Sequence, residues 1–151
     1  MTAVEELHAF EVNESTLPWF DYAPGVQMKL LKINRSTGQF VLLLRAEPGA
    51  HLGRHKHYGT VNVYTLRGRW RYLEDPWTAT AGSYIHEPAG AIHTFEADKD
   101  EGLLVFLVVD GCLEFLDDQD RSIGIDNWQS LLQRYVDHCT RTNTKYVDIS
   151  L

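Results

Sequence analysis

An all-β domain of the sandwich or double-sheet jelly-roll class, with one late helix, is what this sequence predicts. Short apolar or β-branched runs recur at near-regular spacing, about eight to ten of them, as in stacked antiparallel sheets. Glycine, proline and Asn/Asp clusters separate the runs and supply the turn conformations that hairpins need. Helical spacing of apolar residues becomes convincing only near Asp126.

The first 20 residues start polar and end on Leu17-Pro18-Trp19-Phe20. Pro18 opposes a regular helix there, so this stretch reads as an arm that packs Leu17, Trp19 and Phe20 on the body or on a partner. After the Ala23-Pro24-Gly25 turn, Val26 to Ile33 is a strand, and Asn34 to Gly38 turns the chain into a second strand over Phe40–Ala46. Past Pro48-Gly49, the run to His57 is followed by β-branched and aromatic Val61 to Thr65, which Arg67-Gly68-Arg69 is expected to close tightly before Arg69 to Leu73 returns. Leu103 to Val109 is apolar at every position, the pattern of a strand buried on both faces. Phe115-Leu116 and Ser122-Ile123 flank a further hairpin turn. A helix is expected over about 126–139, with Asp126 and Gln129 as its capping pair and Trp128, Leu131, Leu132, Tyr135, Val136 and Cys139 on one face. The last six residues have strand propensity and are expected to add an edge strand.

A chain of 151 residues encloses one core without disulfides, so an N-terminal arm over 1–25 and a single domain over 26–151 are expected. Cys112 and Cys139 are too isolated for a disulfide framework, which fits a reducing compartment, by default the cytoplasm. The acidic N-terminus lacks the basic head and apolar core of a secretory signal, and the longest apolar stretch is too short to span a membrane. With 14 basic against 21 acidic residues the formal charge is −7, which opposes binding to nucleic acid or an anionic membrane. Arg67, Arg69 and Arg71 form the one basic cluster; they read as strand decoration paired with nearby carboxylates or, more sharply, as a grip on an anionic substrate at the barrel mouth.

The chemistry concentrates in the histidines. His55 and His57 are two positions apart in a β-rich run, so both imidazoles point to one face. His93 follows the Pro88–Gly90 turn, which can bring a second hairpin beside the first. Three nitrogen ligands for one ion result. His51 shares their parity but lies about 13 Å away along an extended strand; it and His8, His86 and His138 read as ordinary residues. Zn, Fe, Ni and Cu all accept nitrogen ligation, so residue type alone leaves the metal open.

Two glycine-framed segments carry a family resemblance. Gly49, His55, His57 and Gly68 stand in register with the first signature of the cupin superfamily, and Gly82, Pro88, Gly90 and His93 with the second. The glutamate ligand of the first signature is replaced by Val61, or by Asn62 in the longer spacing, and the last asparagine of the second by Ala97. The resemblance implies a cupin jelly-roll barrel (double-stranded β-helix) with one C-terminal helix, and a neutral three-histidine metal site; Asn62 is a weak substitute ligand. The order LPWF, PGVQMKLL, HKHYG, LRGRW, EPAGAIHTF and LEFLDDQDRSIGIDNW is similar to small cupins that include acetylacetone-cleaving dioxygenase and 2,4'-dihydroxyacetophenone dioxygenase. That likeness implies non-haem Fe(II) on His55, His57 and His93, with Zn(II) or Ni(II) as other occupants. It also implies an oxidoreductase that uses O2 to cleave a C–C bond in a small β-diketone or 2-hydroxy aryl ketone. Glu87 falls where the acetylacetone-cleaving branch has a pocket glutamate, and is expected to support the ligands or to hydrogen-bond substrate. Val63 presents an apolar wall, and Tyr64, Tyr72 and Tyr84 can supply a hydroxyl but read mainly as packing.

Two other functions fit the same residues. The cupin half of an anti-sigma factor is also similar, which implies a zinc-binding regulatory module without catalysis; the roughly 25 residues before Val26 are too few for the sigma-binding domain such a module normally follows. The other is an oxygen-independent metal enzyme, an isomerase or lyase. A homodimer or homotetramer is expected, paired through edge strands and the terminal segments.

Overall fold

The computed structural model describes residues 6–151, so the first five residues of the expected arm lie outside it. A short 3-10 turn, Glu14–Thr16, precedes eleven strands. They are β1 (Phe20–Ala23), β2 (Val26–Ile33), β3 (Phe40–Ala46), β4 (His51–His57), β5 (Val61–Tyr72), β6 (Ala79–Thr80), β7 (Tyr84–Glu87), β8 (Ile92–Ala97), β9 (Leu103–Val109), β10 (Leu113–Leu116) and β11 (Ser122–Asp126). One helix, α1 (Trp128–Thr142), follows. The strand order is β1-β2-β3-β9-β5-β8-β4-β10-β11, with β6 and β7 also on β5. The sheet curls into the half-barrel of a jelly roll, as the strand pattern predicts.

β5 makes the curl. Its first half pairs with β9 and β7, its second with β8 and β6, so one strand belongs to two walls. Wall A comprises β1-β2-β3-β9-β5-β7, and wall B the rest with the second half of β5. The expected hairpin at Arg67–Arg69 is therefore absent. Its glycine serves the corner instead: the register shifts between Thr65 and Arg67, and Gly68 has φ +87° with the Gly102 carbonyl oxygen 1.8 Å from where a Cβ would stand. Only glycine admits that approach.

Between the walls lies a core built from Phe40, Leu42, Val61, Val63, Trp70 and Phe95, among others. Outside it, α1 buries Leu131, Tyr135 and Cys139, and Tyr135 stacks on Phe20 with ring centroids 6.4 Å apart. Asn127, rather than Asp126, caps this helix: its side chain accepts from Gln129 and Ser130, and the Ser130 hydroxyl answers from the third helical position. Asp126 belongs to β11 and accepts from Tyr22 and Ser130. The terminal segments close on their own protomer. Leu17 and Phe20 are buried, β1 pairs with β2, and the C-terminal tail makes one parallel bridge, Ile33 to Ser150, that buries Ile149. Among the described residues, no helix is long and apolar enough to cross a membrane.

Candidate metal centre

Strand register brings the three predicted histidines together. His55 and His57 occupy alternate positions of β4, and His93 on β8 lies directly opposite His55. The turn between Pro88 and Ala91 docks on the same strand, through Gly90 donating to the His57 carbonyl at 2.7 Å and His57 donating to the Ala91 carbonyl at 3.1 Å. One ring nitrogen from each histidine falls within 4.8 Å of the others, and all three side chains are buried.

The imidazoles are neutral. Burial pushes His57 down to about 2 and His93 to about 3, with the neighbouring histidines adding to both, and burial lowers His55 against the opposing pull of the Gly53 carbonyl. That carbonyl lies 2.7 Å from His55 Nδ1; it can only accept, so Nδ1 carries the proton and Nε2 keeps its lone pair. A neutral ring with a fixed tautomer is the form a metal requires.

Glu87 closes the site from wall A. Its Oε1 accepts the hydroxyl of Tyr72, while Oε2 stands 3.4 Å from His57 Nε2 and 3.6 Å from His93 Nε2. With both rings neutral, and Glu87 itself pushed up to about 7 by burial, these approaches are not ion pairs. His57 Nδ1, His93 Nε2 and Glu87 Oε2 are buried with no hydrogen-bond partner, and each such group costs roughly 1–3 kcal/mol unless something binds it. Two of them, His93 Nε2 and Glu87 Oε2, face each other at 3.6 Å beside the three clustered imidazoles, an arrangement that fits a divalent cation.

Tyr72, read from the sequence mainly as packing, lies against the histidines and Glu87. Its ring stacks on His93 at 3.6 Å between centroids and 4° between planes, and burial together with the Glu87 charge holds its phenol well above the ordinary value. The register shift between Thr65 and Arg67 moves the inward parity from Val61 and Val63 to Trp70 and Tyr72, so strict alternation along β5 carries no signal of it. The remaining wall is apolar: Leu42, Leu44, Val63, Leu107 and Val109 face the histidines across a cavity of about 60 Å³.

Other candidates lie elsewhere. Asn62 Oδ1 accepts from Tyr84 and lies 3.2 Å from His86 Nδ1 on the outside of β5, and it is absent from the ligand cluster. Arg71 and Arg69 pair with Glu96 and Asp98, whereas Arg67 lines a surface cleft that contains none of the three histidines. His51 is exposed, 3.7 Å from Glu96.

Known proteins share this fold. A family profile described as a ChrR cupin-like domain matches residues 8–112. An RmlC-like cupin protein from Ralstonia eutropha JMP134 is 34% identical over 96% of both chains, with a TM-score of 0.90. The acetylacetone dioxygenase of Acinetobacter johnsonii is 20% identical, covering 96% of this chain and 100% of that one at a TM-score of 0.75. The anti-sigma factor complex of SigE with ChrR from Rhodobacter sphaeroides is 22% identical, covering 61% and 48% at 0.53. At such identities the last two show a common fold alone. No curated protein sequence matches. The paired histidine segments, the curled sheet around them and the profile match agree: the chain belongs to the ChrR cupin-like domain family of the cupin superfamily.

Proposed function

We propose that this chain is an Fe(II)-dependent dioxygenase that cleaves a C–C bond of a small β-diketone or 2-hydroxy aryl ketone. The observation that carries the reading is the combination of three neutral buried imidazoles with an unpartnered carboxylate oxygen among them. His55, His57 and His93 would hold the ion, and the three neutral ligands would leave its charge undiminished. Bound there, Fe(II) supplies Lewis acidity toward an enolate and the one-electron chemistry that O2 requires.

The chain's own residues supply the rest. Glu87 Oε2 takes the acidic proton of the substrate; a carboxyl group near 7 is suited to that exchange at neutral pH. Tyr72 holds Oε1 and fixes the carboxylate plane. Leu42, Leu107 and the other apolar lining residues exclude water and offer no hydrogen-bond partner to a sugar. The narrow cavity favours the smallest ketones.

A second reading, a zinc-binding regulatory module, draws on the ChrR profile match and on the same narrow cavity. Oxygen uptake by metal-stripped protein reloaded with Fe(II) or Zn(II), against β-diketones and 2-hydroxyacetophenones, separates the two. Uptake with iron alone is expected. His93→Ala should abolish it and weaken metal binding by about 100-fold or more, since even groups supporting a ligand contribute about 10- to 100-fold. Stoichiometric binding of both metals with no uptake overturns the enzyme reading.

A further inference from the structure

The cavity beside the histidines is too small for a diketone. At about 60 Å³ it has room for roughly two waters at ~30 Å³ each, whereas pockets that enclose a ligand run from ~300 Å³ upward. Part of its wall must move before a substrate reaches the imidazoles, and strand pairing shows which part. Among the described residues, every one that lines the cavity stands opposite a ladder partner except Tyr22. Its neighbours Asp21 and Ala23 pair with Gln27 and Val26, and Tyr22 is the extra residue of the bulge between them. A bulge leaves its residue outside the ladder and re-aims the side chain.

Tyr22 also stands where the sheet fails to close. β1 and β11 are the two ends of the strand order, and no ladder among the described residues joins them. Side chains bridge the seam instead. Tyr22 donates to Asp126 Oδ2 on β11 at 2.7 Å. Arg134 of α1 donates to the Tyr22 carbonyl at 3.2 Å and lies over its ring, 5.0 Å from the centroid. On the inner side Phe115 fills the space between Tyr22 and the site, its ring centroid 6.4 Å from that of Tyr22 and 5.5 Å from that of His55.

Outside the latch is a surface cleft of about 470 Å³. Tyr22 and Leu52 line both this cleft and the inner cavity, so they are the partition between the two. Pro24, Ile123 and Ile125 line the cleft as well, with the two isoleucines 68% and 55% exposed. Apolar side chains left in water around a concave opening suit an apolar ligand.

We propose that the seam between β1 and β11 is the entrance to the metal centre, and that Tyr22 sets the size of what passes. With Tyr22 bonded to Asp126, cleft and cavity are separate; when the phenol turns aside, they join. That motion breaks one side-chain hydrogen bond that water can replace. Opening the wall anywhere else displaces a residue held in a ladder. What enters rests on the ketone reading of the site: a compact diketone passes once the ring has swung, and an aryl substituent is held back by it.

Chelator-driven release of Zn(II) from the loaded protein tests the entrance independently of any reaction. Dipicolinate, a small planar chelator, should draw the ion out of Tyr22→Phe about tenfold faster than out of wild type, the change expected for losing one hydrogen bond to a charged acceptor. Tyr22→Ala should release it faster still. Ile33→Val trims a fully buried residue at the far end of β2; it controls for general loosening and should release at the wild-type rate with a lower melting temperature. In the Fe(II) form, Tyr22→Ala should raise kcat/KM for benzoylacetone relative to acetylacetone by about tenfold or more. Circular dichroism checks that each variant is folded, and Tyr22→Phe carries the test if Tyr22→Ala is not. One release rate for wild type and the folded Tyr22 variants, or equal acceleration in Ile33→Val, overturns the proposal. So does an unchanged ratio of the two diketones in an active Tyr22→Ala. The expected release rates with no diketone turned over by any variant would uphold the entrance and remove the ketone reading instead.

Discussion

On wall B the inward positions of β4 and β8 hold His55, His57 and His93, and the outward ones hold Lys56 and Glu96. On wall A the inward positions of β3 and β9 hold Leu42, Leu44, Val105 and Val109, and the outward ones hold Val41, Leu43 and Phe106. One wall carries ligands inside and solvated charge outside; the other is apolar on its inner side, with Glu87 of β7 as its polar contribution to the cavity. The contrast explains the electrostatics of the site. Desolvation, the first cause of the low values at His57 and His93 and of the high value at Glu87, comes from the wall that brings almost no chemistry of its own.

Acid titration of the metal-free protein gives the largest effect that would break this account. His57 and His93, at about 2 and about 3 in the fold against 6.5 in the unfolded chain, are neutral where the unfolded chain is protonated. Stability therefore falls as pH drops below about 6.5, by about 1.4 kcal/mol per pH unit for each imidazole. Glu87 runs the other way. Raised to about 7 from 4.5, it holds a proton in the fold that the unfolded chain releases between those values, which offsets one imidazole there. The net expectation is a loss of about 3 kcal/mol between pH 6.5 and 4.5, then a slope about twice as steep below 4.5. Urea midpoints measured across this range check it, and a flat midpoint down to pH 4.5 would show that the apolar wall does not desolvate the site.

A middle-sized effect tests the one place where the two walls cooperate, the hydrogen bond from Tyr72 on the wall B half of β5 to Glu87 on β7. Tyr72→Phe keeps the ring over His93 and removes the hydroxyl. If Glu87 takes the substrate proton, turnover should fall about tenfold with metal affinity nearly unchanged. The hydroxyl favours the carboxylate form, so its loss raises the Glu87 value, and the acidic limb of the pH–rate profile should move upward. Unchanged turnover and an unmoved limb would reduce Tyr72 to packing.

Sequence alone located the half of this arrangement that depends on local period. β2, β3 and β9 begin and end where alternation and turn residues place them, and the histidines meet because a spacing of two in a strand keeps one face. What escaped it depends on contacts between distant segments. Arg67-Gly68-Arg69 has turn composition, and nothing local shows that Gly68 is a corner pressed on Gly102, or that the register shift beside it turns Trp70 and Tyr72 inward. Asp126 and Asn127 are equally good caps by residue type, and the partly buried bond from Tyr22 to Asp126, more than a hundred positions apart, assigns the first of them to the strand. Whether Asn62 faces the metal was likewise a matter of parity, and its pairing with Val108 puts it outside.

The smallest expected effect concerns the outer surface of wall B, where the arginine cluster was a candidate substrate grip. Arg71 donates to Glu96 at 2.8 Å with about half its side chain exposed. An exposed pair of this kind contributes ~0–1 kcal/mol, and the cavity proposed to take the ketone lies on the opposite side of β5 and β8, behind Tyr72 and Phe95. Arg71→Ala should therefore change stability by less than about 0.5 kcal/mol, the usual range for a surface substitution, and leave KM for the ketone unaltered. Thermal melting and steady-state kinetics measure the two. A tenfold rise in KM at constant stability would mean that the guanidinium reaches the substrate, and the division into a chemical interior and a merely solvated exterior of wall B would fail at that residue.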